Sequence, residues 1–101
     1  MAAFLFQIEW DSAKARSNLT KHHVSFEEAA QIFHDPLALT IPDEEHSVGE
    51  SRWITLGKDA LGHYCLVVHT YQPVDESAAR VRIISARRPG RAEIRAYEEQ
   101  Q

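Results

Sequence analysis

The sequence predicts an α+β domain, a largely antiparallel sheet with two helices packed on one of its faces. Three observations predict it. A single alternating strand is followed by two helix signatures, each with its own N-cap; four strand-like runs then come at hairpin spacing; and one more helical run follows Pro89-Gly90. The predicted order is β-α-α-β-β-β-β-α, in one domain over residues 1–101, because a chain of 101 residues supports a single core. At 44% hydrophobic and 26% charged, the chain has the composition of a globular protein and not of a disordered one. No apolar run approaches the roughly 20 residues that cross a bilayer. The N-terminus lacks the basic flank and small-residue cleavage site of a leader, so a cytoplasmic protein is expected. A lone Cys65 excludes an internal disulfide framework and a cysteine-based zinc finger.

The elements follow in order. Phe4, Phe6, Ile8 and Trp10 alternate on one side of a strand. Asp11 caps a helix running to about Lys21, with Ala15 and Leu19 on its buried stripe. His23 falls where a left-handed C-terminal residue belongs. Ser25 and Glu28 form a capping box, with Val24 outside the cap placed to staple onto Ala29. Phe26, Ala29, Ala30 and Phe33 recur at i, i+3, i+4, i+7, and Asp35-Pro36 ends that helix. Strands are then expected at Leu37–Ile41, Arg52–Gly57, Tyr64–Gln72 and Ala79–Arg88. An acidic loop separates the first two, a Gly62 hairpin the next two, and a Pro73–Ser77 turn the last two. Tyr64–Gln72 is apolar on both faces, which predicts a central strand, while one face of the sheet is expected to stay open.

Charge is distributed unevenly. Residues 80–95 carry six arginines against Glu93, a local +5; the remainder carries −9, and together they give the net −4. A cationic patch on an acidic body suits phosphate or carboxylate recognition at one place, because a guanidinium binds either in two-pronged fashion. Ser85 and Arg87 project to one side of the last strand, and Arg88 to the other side or into solvent. Glu93 and Tyr97 share a face of the following helix, with Arg91 and Arg95 flanking them. A strand-end arginine pair beside a helix N-terminus makes an anion pocket. Local pairing of Glu93 with arginine, and Tyr97 covering the core, is the plainer reading of the same residues. Asn18, Lys21 and His22 gather at the end of the first helix, where a lysine and a histidine are ordinary dipole partners or acid–base groups. The six histidines show neither His-x3-His nor His-Glu-x-x-His spacing, and the four glycines make no phosphate loop, so no metal and no cofactor is expected. Cys65 reads as core.

Three stretches together resemble the BrnT-type toxins. They are Glu9–Ala29, with Trp10-Asp11, Lys14, Asn18, Lys21-His22, Val24 and Phe26; Asp35-Pro36 with Arg52–Gly57; and Arg82–Arg88 followed by Glu93 and Tyr97. His23 stands where that family usually carries glycine, and Pro89-Gly90 where it carries Ala-Ser or Ala-Thr. The resemblance implies a RelE-like fold and an endoribonuclease that needs no metal. It also implies a BrnA-like ribbon-helix-helix antitoxin as partner, two toxins with two antitoxins, with operator DNA contacted only through the antitoxin and no membrane involved. Arg52 and Arg87 are then expected to stabilise charge on the RNA phosphate, Ser85 to orient it, and Lys21, His22 and Glu93 to move protons. Arg88, Arg91 and Tyr97 are expected to contact RNA. All these groups should line a single solvent-accessible hollow. Two other readings remain: a partner-binding module or co-repressor without turnover, and a metal-dependent hydrolase.

Overall fold

The computed structural model describes residues 3–47 and 49–100. Strand β1 (Leu5–Trp10) leads into helices α1 (Ser12–His22) and α2 (Phe26–Ala30), the latter extended by a 3-10 turn at Gln31–His34. Strands β2 (Leu39–Pro42), β3 (Trp53–Lys58), β4 (Tyr64–His69), β5 (Gln72–Asp75) and β6 (Ala78–Arg87) follow, then helix α3 (Arg91–Glu99). The sheet runs β1-β6-β4-β3-β2, with β5 also on β6; β1 lies parallel to β6 and every other pair is antiparallel.

The helix ends form as their residues dictate. The Asp11 carboxylate accepts the Lys14 N–H at 2.9 Å. The Ser25 hydroxyl and Glu28 carboxylate take each other's backbone N–H groups. His23 adopts φ 59°, and its N–H closes α1 on the Leu19 carbonyl. Gly62, at φ +84°, turns the β3–β4 hairpin, whose loop is tied to the Asp59 carboxylate by the N–H groups of Leu61 and His63.

The inner face carries the main core. Val24, Phe26, Ala29 and Ile32 pack against Cys65, Val67, Ile83 and Ala86, all buried. A buried Phe or Ile here contributes roughly 1.5–3 kcal/mol. The 3-10 turn lies close against the sheet at Gly57, where a Cβ would stand 3.1 Å from that of Ile32. Burial pushes the Cys65 thiol up to about 11. His69 is buried on this face too; its Nδ1–H donates to the Thr70 carbonyl, so its Nε2 accepts the Thr55 hydroxyl at 2.7 Å. Burial holds this imidazole below its usual range.

Four expectations need correction. The second face is not open: Tyr97 of α3 packs there with Leu56 and Leu66, covering the outward side chains that a central strand must bury. The tail of the predicted fourth strand and most of the predicted turn form β5, because β4 ends at a register shift and the chain then runs beside the start of β6. Pro73 is tolerated there because β5 is an edge strand. The element order therefore gains a strand. Finally, α1 buries Ala15, Asn18 and His22 to different degrees and leaves Leu19 half exposed.

The two faces are joined by Asp35. Its Oδ2 accepts the Tyr97 hydroxyl at 2.7 Å and the Lys58 N–H at 2.8 Å, while Oδ1 accepts the Leu37 N–H at 2.9 Å. Burial raises the affinity of this carboxyl for a proton, but these hydrogen bonds and the Lys58 charge outweigh burial and hold it below the usual range.

Candidate functional site on the outer sheet face

A bulge in β6 sets the site. His69 pairs with Ile83, but Val68 pairs with Ser85, which leaves Ile84 as an extra residue. Val81 and Ile83 point into the inner core, and so does Ala86. Strict alternation would have sent Ser85 and Arg87 after Ile83 into that core; the bulge turns them outward instead, to join Arg80 and Arg82. Register then arranges the outer face in rows. Ile54, Val68 and Ser85 form the middle one, and Leu56, Leu66 and Arg87 the one beneath α3. Arg52, ahead of Trp53 on β3, lies on the far side of the middle row from α3.

Past the end of β1, the edge of β6 is held by a side chain. Asn18 Nδ2 donates to the carbonyls of Ala86 (2.9 Å) and Val24 (3.1 Å), and Asn18 Oδ1 accepts the Ala86 N–H at 3.1 Å. This clasp presses the end of α1 onto the bulge. Lys21 and His22 consequently share a hollow of about 280 Å³ with Ile84 and Ser85.

Arg87 donates two hydrogen bonds to Glu93, at 2.9 and 2.8 Å. Glu93 also accepts the Gly90 N–H at 2.8 Å, the half of a capping box that a glycine N-cap still allows. The Arg87 hydrogen bond outweighs burial and holds the Glu93 carboxyl below the usual carboxylate range. The expected anion position at the start of α3 is thus filled by the chain's own carboxylate. Arg88 turns away, donating to the Tyr64 carbonyl at 2.9 Å and reaching Glu28 at 3.4 Å. Arg91 is exposed on the first turn of α3. Tyr97, expected to contact RNA, is 1% exposed, and its ring packs 5.4 Å from that of Tyr64, so no base can stack on it.

The structure therefore brings Lys21, His22, Ser85, Arg87 and Glu93 along one stretch of β6 and places Arg52 across the sheet from them. The expected single hollow is not formed: Lys21, His22 and Ser85 share one that Arg52, Arg87 and Glu93 do not line, and Arg88 lines a separate depression with Pro89 and Ile94. Sequence reasoning passed over Arg80 and Arg82 as site residues; their alternation with Val81 and Ile83 was the available signal. Among the described residues, no three His, Cys, Asp or Glu side chains cluster to hold a metal ion, and no helix is long and apolar enough to cross a membrane.

Comparison with known proteins supplies the class to which this build belongs: ribonuclease toxins of type II toxin–antitoxin systems, the description of the family whose pattern matches residues 10–93. The chain belongs to that family, BrnT. Its fold is similar to that in the 1.1 Å crystal structure of the Brucella abortus ribonuclease toxin BrnT, with a TM-score of 0.60 and 21% identity; the match covers 86% of this chain and 100% of the other. No curated protein sequence matches the chain.

Proposed function

We propose that this chain is a metal-independent endoribonuclease that cuts RNA in the cytoplasm and so arrests translation. A BrnA-like ribbon-helix-helix antitoxin neutralises it in a complex of two toxins with two antitoxins, and represses the operon through its own DNA contacts. A RelE-like architecture belongs to the same reading. The observation that carries the proposal, beside family membership, is the bulge that turns Ser85 and Arg87 onto the outer face, with Ser85 beside Lys21 and His22.

In this reading the scissile phosphate lies over Ser85. The ribose 2′-oxygen loses its proton and bonds to phosphorus, the bond to the 5′-oxygen breaks, and that oxygen takes a proton. Arg87 and Arg52 approach the phosphate from opposite sides and stabilise the charge that builds on its oxygens. Arg87 must first leave Glu93. Both side chains of that pair are more than a third exposed (45% and 36%), so it is worth at most about 1 kcal/mol and a phosphate displaces it cheaply. A carboxylate held below its usual range is a weak base, so Glu93 serves chiefly to aim Arg87. Lys21 and His22, beside Ser85, then carry the protons, and Arg88 and Arg91 flank neighbouring phosphates.

Purified protein incubated with RNA and a chelator tests this. Cleavage is expected to persist with the chelator present, and Arg87→Ala to slow it about 10²–10³-fold, the cost of one transition-state donor. An Arg87→Ala variant that cuts at the parent's rate overturns the assignment, and loss of cleavage on chelation overturns metal independence. One observation favours the module without turnover: Arg87 and Arg88 are already paired with Glu93 and Glu28. That reading predicts tight antitoxin binding, no RNA cleavage and no growth arrest.

A further inference from the structure

We infer that the outer face of β6 carries a second phosphate-binding subsite, built from Arg80 and Arg82 and latched by Glu50, which takes the phosphodiester of a nucleotide beside the one being cut. The inference rests on the ribonuclease reading and extends it to the length of RNA that the protein grips.

Three observations support it. Val81 and Ile83 are 0% and 1% exposed, which fixes Arg80 and Arg82 on the opposite side of the strand. There they line a hollow of about 430 Å³ together with Glu9, Glu50, Thr70 and Gln72, a mainly polar cleft to which Tyr71 adds one aromatic side chain. The floor is rigid, because the Thr70 N–H donates to the Arg82 carbonyl and the Arg82 N–H to the Thr70 hydroxyl. Across the sheet, Arg52 is held by its backbone between Ser47 and Asp43, yet its Nε–H is buried with no acceptor. A buried guanidinium donor without a partner marks a place where an acceptor belongs, which suits Arg52 to the phosphate being cut and leaves the neighbouring one to Arg80 and Arg82.

The position relative to the cutting site is informative. Arg82 and Ser85 are two paired steps apart on β6, about 7 Å at strand rise, and share a face with Arg87. The three side chains form a line along which a ribose-phosphate chain can run from one guanidinium to the next. An acidic peptide would also meet Arg80 and Arg82, but Tyr71 is the one aromatic side chain lining the hollow and its other lining residues are polar, which favours the bare phosphodiester. Glu50 forms an ion pair with Arg82 in which both side chains are over 40% exposed. Such a pair opens readily. Arg80 forms no ion pair among the described residues, so displacing one carboxylate frees both guanidiniums.

The test uses 2′-O-methyl oligoribonucleotides, which bind without being cut, in a series of increasing length read by fluorescence anisotropy. For the parent, affinity is expected to rise as the oligonucleotide is lengthened past the cutting site. In the Arg80→Ala/Arg82→Ala double variant that gain disappears. Its affinity for long oligonucleotides falls about 10-fold or more, and the slope of log affinity against log salt drops by about 0.7, the share of one phosphate contact. Glu50→Gln is expected to bind 2–5-fold more tightly, and this variant carries the test should the double variant misfold. Parent-like binding and salt slope in the double variant, or weaker binding by Glu50→Gln, overturns the subsite. So does a double variant that loses only its hold on the antitoxin, which assigns the arginines to a protein contact. A parent that binds no oligonucleotide and cuts no RNA takes the ribonuclease reading down with it, a result distinct from loss of the length effect alone.

Discussion

Replacing Asn18 with alanine removes one amide and strands three buried backbone groups. Asn18 is 7% exposed and Ala86 1% exposed, so water does not readily take over the lost hydrogen bonds. The Ala86 N–H loses its acceptor, which costs about 1–3 kcal/mol for an orphaned buried donor. The carbonyls of Ala86 and Val24 each lose a donor, at about 1 kcal/mol apiece. Alanine's better helix propensity returns roughly half a kcal/mol. The net loss is about 3 kcal/mol, against a total stability on the order of 5–15 kcal/mol for such a domain. At 4–8 °C per kcal/mol, the thermal midpoint should fall by roughly 12–24 °C. Urea unfolding followed by far-UV circular dichroism measures this directly, with an unchanged slope showing that the unfolded state is the same. A loss under about 1 kcal/mol would falsify the claim that the amide is the structural clasp of the β6 edge.

Three further predictions follow from other residues. His23→Gly should stabilise the fold by about 0.5–1 kcal/mol in the same urea assay, since an exposed residue at φ 59° pays for a Cβ that glycine lacks; no gain refutes the strain argument. Because the folded His69 binds a proton less readily than the unfolded one, its share of stability is complete above about pH 6.5 and is lost as the pH falls below that. His69→Gln should therefore flatten the decline in midpoint between about pH 7 and pH 5, and an identical slope in both proteins rules the histidine out. Cys65, with its thiol raised to about 11, should resist iodoacetamide at mildly alkaline pH in the native protein and react on unfolding; mass spectrometry showing rapid native labelling contradicts its burial.

Local chemistry was legible in the sequence wherever a few neighbouring residues decide the outcome. Asp11, the Ser25/Glu28 box and the left-handed His23 all form where their types and spacings place them. Long-range decisions were not. The bulge at Ile84 depends on how β4 registers against β6, and only that register says which face Ser85 and Arg87 join. The burial of Asn18 in preference to Leu19 depends on α1 lying past the end of β1, where unpaired groups of β6 need an amide more than a methyl. Tyr97 was read as an RNA contact or a core residue; its hydroxyl partner, Asp35, is sixty-two positions away, beyond any spacing rule. In the candidate site the residue types and the pairing of Glu93 with an arginine were readable, but the neutralisation of Arg88 and Arg82 was not, since Glu28 and Glu50 reach them across the fold.

The single carboxylate of Asp35 has a consequence for cooperativity. Each layer contributes a donor to it: Tyr97 from the helix outside the sheet, Lys58 from the sheet itself, Leu37 from the turn beneath. The helix that carries Glu93 thus cannot detach without untying a group anchored on the opposite side. Amide exchange in that helix should report whole-domain opening and not fraying of its own, so the aim of Arg87 is governed by residues that no substrate touches.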